Sequence, residues 1–430
     1  MESIEFVKDL IKFIDASPLN YFAVENSKKL LLENNFKQLI ETEKWSLEKG
    51  GKYFVTRDDT ALIAFTVGDD IKEGFDIIGS HTESPTFKIK SNPELAYNGY
   101  LRLNTEIYGG PIFSTWLDRT LSLAGKIAYY DNGVVKTKLV NFDRDLLTIA
   151  NPAIHMNREV NKGYAYNPQT DLLPILQTVT DDFEKDAYLQ KLVAKELAIE
   201  EKSILAMDLG LYDRQKGSIL GSNEDMYQVG RIDNLGAVHA SLHALIDSKN
   251  EKFNVLVLND NEEIGSRTRT GAFSPFLKDV LERMSYLLGY DTEDIKIALA
   301  NTYIISADQA HAIHPNFTQY SDPTNVVKMN QGLVVKIAAN GAYTSGIVST
   351  PRIALLAKKI GANLQYFHNR SDKQGGTTIG PIASSTLGIK SIDVGEPILA
   401  MHSIRETGGV EDHLQAYKIY KAFYNERKVN

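Results

Sequence analysis

Phe75-Asp76-Ile77-Ile78-Gly79-Ser80-His81-Thr82-Glu83 is the stretch on which the fold turns. It opens as a short apolar run closed by a Gly-Ser pair, the pattern of a buried strand. An imidazole and a carboxylate, His81 and Glu83, follow at once. In open α/β sheets, ligands collect at the carboxyl ends of strands. This one segment therefore predicts both a sheet and the edge of it where chemistry would sit.

The arrangement recurs downstream. The strand-like run Asn254-Val255-Leu256-Val257-Leu258 is followed by Glu262 and Glu263, and Thr302-Tyr303-Ile304-Ile305-Ser306 by Asp308. Ser391-Ile392-Asp393-Val394 is a further strand, with His402 a few residues beyond it. Asp233 stands at the start of a helix whose apolar stripe is Leu235, Val238, Leu242 and Leu245. Ile4, Val7, Ile11 and Ile14 open the chain at helical spacing, and Leu414, Tyr417, Tyr420 and Tyr424 close it.

From about residue 90 to 229 the texture changes. Lys126–Tyr130 and Val134–Val140 flank Asp131-Asn132-Gly133, and Asn-Gly between two strand-like runs is a strong hairpin signal because a type I′ turn needs positive φ twice. The fold class is therefore α/β. A domain built from residues 1–90 and 230–430 is interrupted by a mainly β insert over 91–229, a normal domain size. The charge-rich stretch from Asp181 to Lys202 reads as a solvated helix within that insert.

Composition narrows the function. The chain has 430 residues, with 47 Lys and Arg against 55 Asp and Glu, for a net charge of −8. That balance argues against non-specific nucleic-acid binding, and no long basic run marks a membrane-binding patch. No apolar run approaches the roughly 20 residues that cross a bilayer. The start, Met1-Glu2-Ser3-Ile4-Glu5, is acidic and unlike a secretory signal, so the cytoplasm is the expected address. The chain has no cysteine, so a metal must be held by His, Asp and Glu.

His81, Asp233, Glu262, Glu263, Asp308 and His402 form the inventory of a two-metal hydrolase. Two divalent ions about 3.5–4 Å apart need a bridging carboxylate, plus a His and a further carboxylate on each. One more carboxylate must stay free to take a proton from water. Singly, each residue has an everyday use: a strand-end His at the surface, a solvated Glu pair, aspartates in turns or helix caps. Only the ordered set carries the inference. His239 and His243 have metal-pair spacing but lack the glutamate of a His-Glu-x-x-His motif, and are expected to pack or face solvent.

The ordered motifs carry a resemblance. His81-Thr82-Glu83-Ser84-Pro85, Arg231-Ile232-Asp233-Asn234, Glu262-Glu263-Ile264-Gly265-Ser266, Ser306-Ala307-Asp308-Gln309-Ala310-His311 and Met401-His402-Ser403-Ile404-Arg405-Glu406 follow one another over nearly the whole chain. Together they resemble the aspartyl aminopeptidase family of dinuclear zinc exopeptidases. The resemblance implies a zinc-exopeptidase-like mixed sheet sandwiched by helices, with the β insert serving oligomerisation. It implies that Asp233 bridges two ions, with His81 and Asp308 completing one and Glu263 and His402 the other, and that Glu262 is the general base. It also implies that Glu83 orients His81 from behind, although the family usually has the shorter Asp there. Homododecamers are typical of the family, and His155 matches a position that reaches a neighbouring subunit's site. Lys336 aligns with a lysine that contacts acidic substrate side chains, and Tyr343 and His314 match positions lining the same cavity.

Several points stay open at this level. The expected ions are zinc, with cobalt and manganese equally able to accept these ligands. His155 is either that reaching residue or an ordinary polar one, and Lys336 either a substrate contact or a solvent-facing strand lysine. Peptides are the expected substrates. A two-metal hydrolase of acylated amino acids or sugars, and a non-catalytic assembly or cargo protein of the same fold, remain alternatives.

Overall fold

The computed structural model describes residues 3–249 and 251–426. The chain divides into two compact units. The first is built from the chain up to Glu83, from Gly217 to Met401 and from Glu406 onward; the second is Ser84–Lys216 with His402–Arg405.

The first unit holds a nine-stranded mixed sheet. From one edge to the other it runs Lys37–Leu39, Lys52–Arg57, Ala61–Thr66, Asn254–Asn259, Asp76–His81, Tyr303–Ala307, Lys390–Gly395, Leu333–Lys336 and Leu364–Phe367. Its four central strands, from Asn254–Asn259 to Lys390–Gly395, are mutually parallel, with Asn259 opposite His81 and Ser306 opposite Gly79. Parallel strands buried on both faces read as continuous apolar runs. Here successive residues feed opposite cores. Ile78, Leu256 and Leu258 join one cluster with Val7, Val238 and Phe423. Ile77, Val255 and Val257 join another with Phe276, Met284 and Ala383. Helices therefore cover both faces, among them Ser3–Asp15, Ile232–Ile246 and Val410–Asn425 on the first and Phe276–Leu287 on the second. Truncating one such strand residue, as in Ile78→Ala, would cost about 2–5 kcal/mol. A smaller five-stranded sheet, Ser218–Leu220, Met226–Val229, Glu406–Gly409, Pro397–Leu399 and Ala310–His311, completes this unit.

The second unit is a six-stranded antiparallel sheet around its own apolar cluster, which includes Phe87, Trp116, Leu123 and Leu211. Leu121–Asp131 and Val134–Asn141 pair with Asp131 opposite Val134, so Asn132-Gly133 forms a two-residue turn with φ of 50° and 89°. The charge-rich stretch differs from its expectation. Only Tyr188–Leu197 is α-helical, and Leu189, Val193 and Ala194 on it are buried. Three apolar residues on one face anchor the helix to the core, so it is amphipathic rather than solvated all round. Among the described residues no helix is long and apolar enough to cross a membrane.

Candidate metal centre

The parallel strands deliver the site. His81 ends its strand, Glu262 and Glu263 sit in a 3-10 turn just past Asn259, and Asp308 directly follows Ala307. Asp308 is drawn in tightly because Gly395 passes beside it: a Cβ at 395 would lie 1.9 Å from the Asp308 carbonyl oxygen. Asp233 comes from the first turn of the helix Ile232–Ile246, where it and Asn234 leave helical geometry and their peptide bond is cis.

His81 is 1 % exposed and ringed by oxygen. Its Nδ1 lies 3.1 Å from the carbonyl oxygen of Glu83 and 3.6 Å from the Glu83 carboxylate. A carbonyl can only accept, so Nδ1 carries a proton, and in the neutral ring the lone pair is then at Nε2. That nitrogen faces Asp233 Oδ1 at 3.4 Å and Asp308 Oδ1 at 3.7 Å. Two carboxylates facing Nε2 call for positive charge at that point, either a proton on the ring or a bound cation. Burial opposes charge on the ring, but Glu83, Asp233 and Asp308 outweigh it and raise the imidazole well above its usual range.

His81, Asp233 and Glu263 each offer one ligand atom, all within 4.8 Å of one another. One imidazole nitrogen among carboxylate oxygens suits zinc, cobalt or manganese. The donor set therefore fits a divalent ion. Glu262 stands at the same strand end, and burial pushes its carboxyl up to about 8. His81 pulls that value down, while Asp308, Glu263 and Glu83 reinforce the rise. Divalent charge nearby would draw it back toward neutrality.

Lys336 is 3 % exposed, which sets aside a solvent-facing lysine. Its Nζ donates to the Gln309 carbonyl at 2.9 Å and to Asp308 Oδ2 at 3.4 Å, and lies 5.3 Å above the Tyr343 ring. His314 is half-buried with its ring against Phe317 at 4.8 Å, and makes no part of the cluster around His81. His155 and His402 belong to the second unit. His155 is exposed, and His402 Nδ1 lies 3.1 Å from the Gly110 carbonyl oxygen.

Two contributors carried no assigned role in the sequence. Glu406 accepts the Asp233 main-chain N–H at 2.9 Å, and Asn234 Nδ2 donates to the Ala307 carbonyl at 2.8 Å. Both lie inside motifs quoted above, which was the available signal.

A family model described as aminopeptidase I zinc metalloprotease (M18) matches residues 13–424. The chain belongs to the M18 aminopeptidases. Two relatives, from Clostridium novyi (strain NT) and Clostridium acetobutylicum, are each named a probable M18 family aminopeptidase 2. Each is 49% identical over 428 residues, covering 98% of this chain and 99% of its own. Among solved structures, yeast aminopeptidase 1 superposes with a TM-score of 0.86 at 31% identity, over 98% of this chain and 97% of that one. As an M18 member the chain is a zinc-dependent aminopeptidase, and its α/β fold is that of the family. The acyl-amino-acid, sugar and non-catalytic readings give way to it.

Proposed function

We propose that this aminopeptidase releases the first residue of a peptide at the cluster of His81, Asp233, Glu262, Glu263 and Asp308, with two zinc ions bound there. The observation that carries this is His81 Nε2 held against the carboxylates of Asp233 and Asp308, with Glu263 within the same reach. Within this reading Asp233, His81, Asp308 and Glu263 would hold the ions, and the family resemblance adds His402 to that set. Bound zinc would polarise the scissile carbonyl and lower the pKa of water.

The protein's own groups do the rest. Glu262 takes a proton from water onto a carboxylate oxygen and hands it to the leaving amine nitrogen; burial helps it keep that proton between the two transfers. Glu83 fixes the His81 tautomer through its carbonyl, which keeps Nε2 free for the ion. Lys336 holds Asp308 from its far oxygen. Preference for an N-terminal Asp or Glu would run through Lys336, whose ammonium has a third N–H beyond those aimed at Asp308 and Gln309, with Tyr343 and His314 lining the same cavity.

The first unit would be catalytic and the second would mediate assembly. A solved relative is titled the S. cerevisiae mApe1 dodecamer, and it matches at 31% identity with a TM-score of 0.86. That supports a homododecamer, which a native mass of one subunit would exclude; by the family resemblance His155 would then serve a neighbour's site.

The decisive experiment replaces Glu262 with Gln and assays aminoacyl p-nitroanilides, free and with the α-amine blocked. The expected result is unchanged zinc content, hydrolysis reduced at least about 100-fold, and no turnover of the blocked substrate by either protein. Near-normal turnover by the variant would remove Glu262 from its role.

A further inference from the structure

A second constellation lies in the first unit, on the helical face of the sheet and away from the strand ends. His239 and His243, one turn apart on the helix Ile232–Ile246, both approach Asp9 of the opening helix Ser3–Asp15. His239 Nε2 is 3.3 Å and His243 Nε2 3.5 Å from the same oxygen, Asp9 Oδ2. Behind His239, its Nδ1 lies 3.0 Å from His413 Nε2, and His413 Nδ1 lies 3.0 and 3.1 Å from the two oxygens of Glu396. His239, His413 and Glu396 are all buried.

The hydrogen-bond chain fixes where the lone pairs point. A Glu396 carboxylate only accepts, so with His413 neutral the ring donates from Nδ1 and accepts at Nε2. His239 must then donate from Nδ1, which leaves its Nε2 lone pair facing an Asp9 carboxylate oxygen that also only accepts. His243 Nε2, buried and without a hydrogen bond, faces that oxygen as well. With His243 in the tautomer that leaves Nε2 unprotonated, two imidazole lone pairs and a carboxylate oxygen converge on one point, the donor set a cation takes.

We infer that Asp9, His239 and His243 form a second divalent-cation site, separate from the catalytic cluster, suited to zinc. The spacing matches the ion. Donors about 2.0–2.1 Å from a tetrahedral zinc stand about 3.3–3.4 Å apart, against the observed 3.3 and 3.5 Å. The Glu396–His413–His239 relay is the support a metal-bound imidazole ordinarily has, a carboxylate that orients the ring and strengthens its donor nitrogen. A proton on one Nε2 satisfies one contact with Asp9; an ion engages both rings and the carboxylate at once. The Asp9 side chain is 50% exposed, so the ion has a way in and water can take the fourth position. The ion would clamp the opening helix to the helix whose first turn presents Asp233.

The test strips the full-length protein with chelator, titrates in zinc chloride, and counts bound zinc after desalting for wild type, Asp9→Asn and His243→Gln. Each variant is expected to hold one zinc fewer per subunit, and to gain less in melting temperature on adding zinc, while keeping aminopeptidase activity. Equal counts in all three proteins overturn the inference. Wild-type crystals grown with zinc and measured at the zinc absorption edge decide the matter without any variant. An anomalous peak between Asp9, His239 and His243 supports the site. A peak at His81 with none at Asp9 overturns it and assigns the contact to a proton, and only loss of the His81 peak would count against the catalytic reading.

Discussion

The main-chain N–H of Glu263 donates to Oε1 of Glu83 over 3.0 Å. Glu83 thus does two things at once: its carbonyl sets the His81 tautomer, and its carboxylate fixes the turn that carries Glu262 and Glu263. The longer side chain at this position reaches across to the neighbouring strand end. Glu83→Gln keeps an acceptor oxygen and is expected to keep zinc. Glu83→Ala should weaken zinc binding about 10–100-fold, the usual scale for losing a group that supports a ligand. Competition with a zinc-sensitive dye measures both, and equal affinity in the two variants would contradict this role.

Glu406 holds Asp233 by its main chain at 2.9 Å in a buried setting. Glu406→Ala leaves that N–H without this acceptor, at a cost of about 1–3 kcal/mol. Chemical denaturation of the metal-free protein should show the loss. Zinc affinity should fall with it, because Asp233 is then free to turn.

Lys336 and Asp308 form a buried pair, with side chains 4% and 14% exposed. Lys336→Met removes one partner and should destabilise the metal-free protein by about 3–5 kcal/mol, the range for breaking such a pair. Bound zinc neutralises Asp308 by another route, so the deficit should shrink in the zinc-loaded protein. A deficit that is the same with and without zinc would place Asp308 away from the ion. If Lys336 also selects acidic residues, the variant's rate on an N-terminal Asp should drop far more than its rate on Leu.

Removing the metal should lower stability without dissolving the fold, because the two large apolar clusters of the first unit are independent of it. Zinc at a hundred times its dissociation constant contributes about 2.7 kcal/mol per site. Calorimetry with chelator and with stepwise zinc checks this, and a melting temperature indifferent to zinc would contradict it.

Asp412 supplies a pH dependence away from the metal cluster. Burial pushes its carboxyl from 3.8 up to about 7, against main-chain N–H donors that include Asn330 and Gly332. The fold thus binds this proton more tightly than the unfolded chain does. The stability it contributes is whole below pH 3.8 and is lost as pH rises toward about 7, with a slope of at most about 1.4 kcal/mol per pH unit. Asp412→Asn should flatten that decline in urea-denaturation midpoints measured across the window.

What the sequence determined by itself is what local pattern can encode. Unbroken apolar runs such as 255–258 announce strands covered on both faces, Asn132-Gly133 announces its turn, and the residues after each run announce the candidate metal-binding edge. The family motifs follow, because their spacing survives in one dimension. What only the tertiary structure decided is what depends on which atoms meet. Lys336 looks like any strand lysine until the fold seats it between Asp308 and Gln309. His239 and His243 look like packing until Asp9, some 230 positions earlier, is brought against them. Proton positions are settled the same way, since whether an imidazole offers a lone pair or an N–H depends on the oxygen across from it. That oxygen arrives from a distant part of the chain, and no local pattern records it.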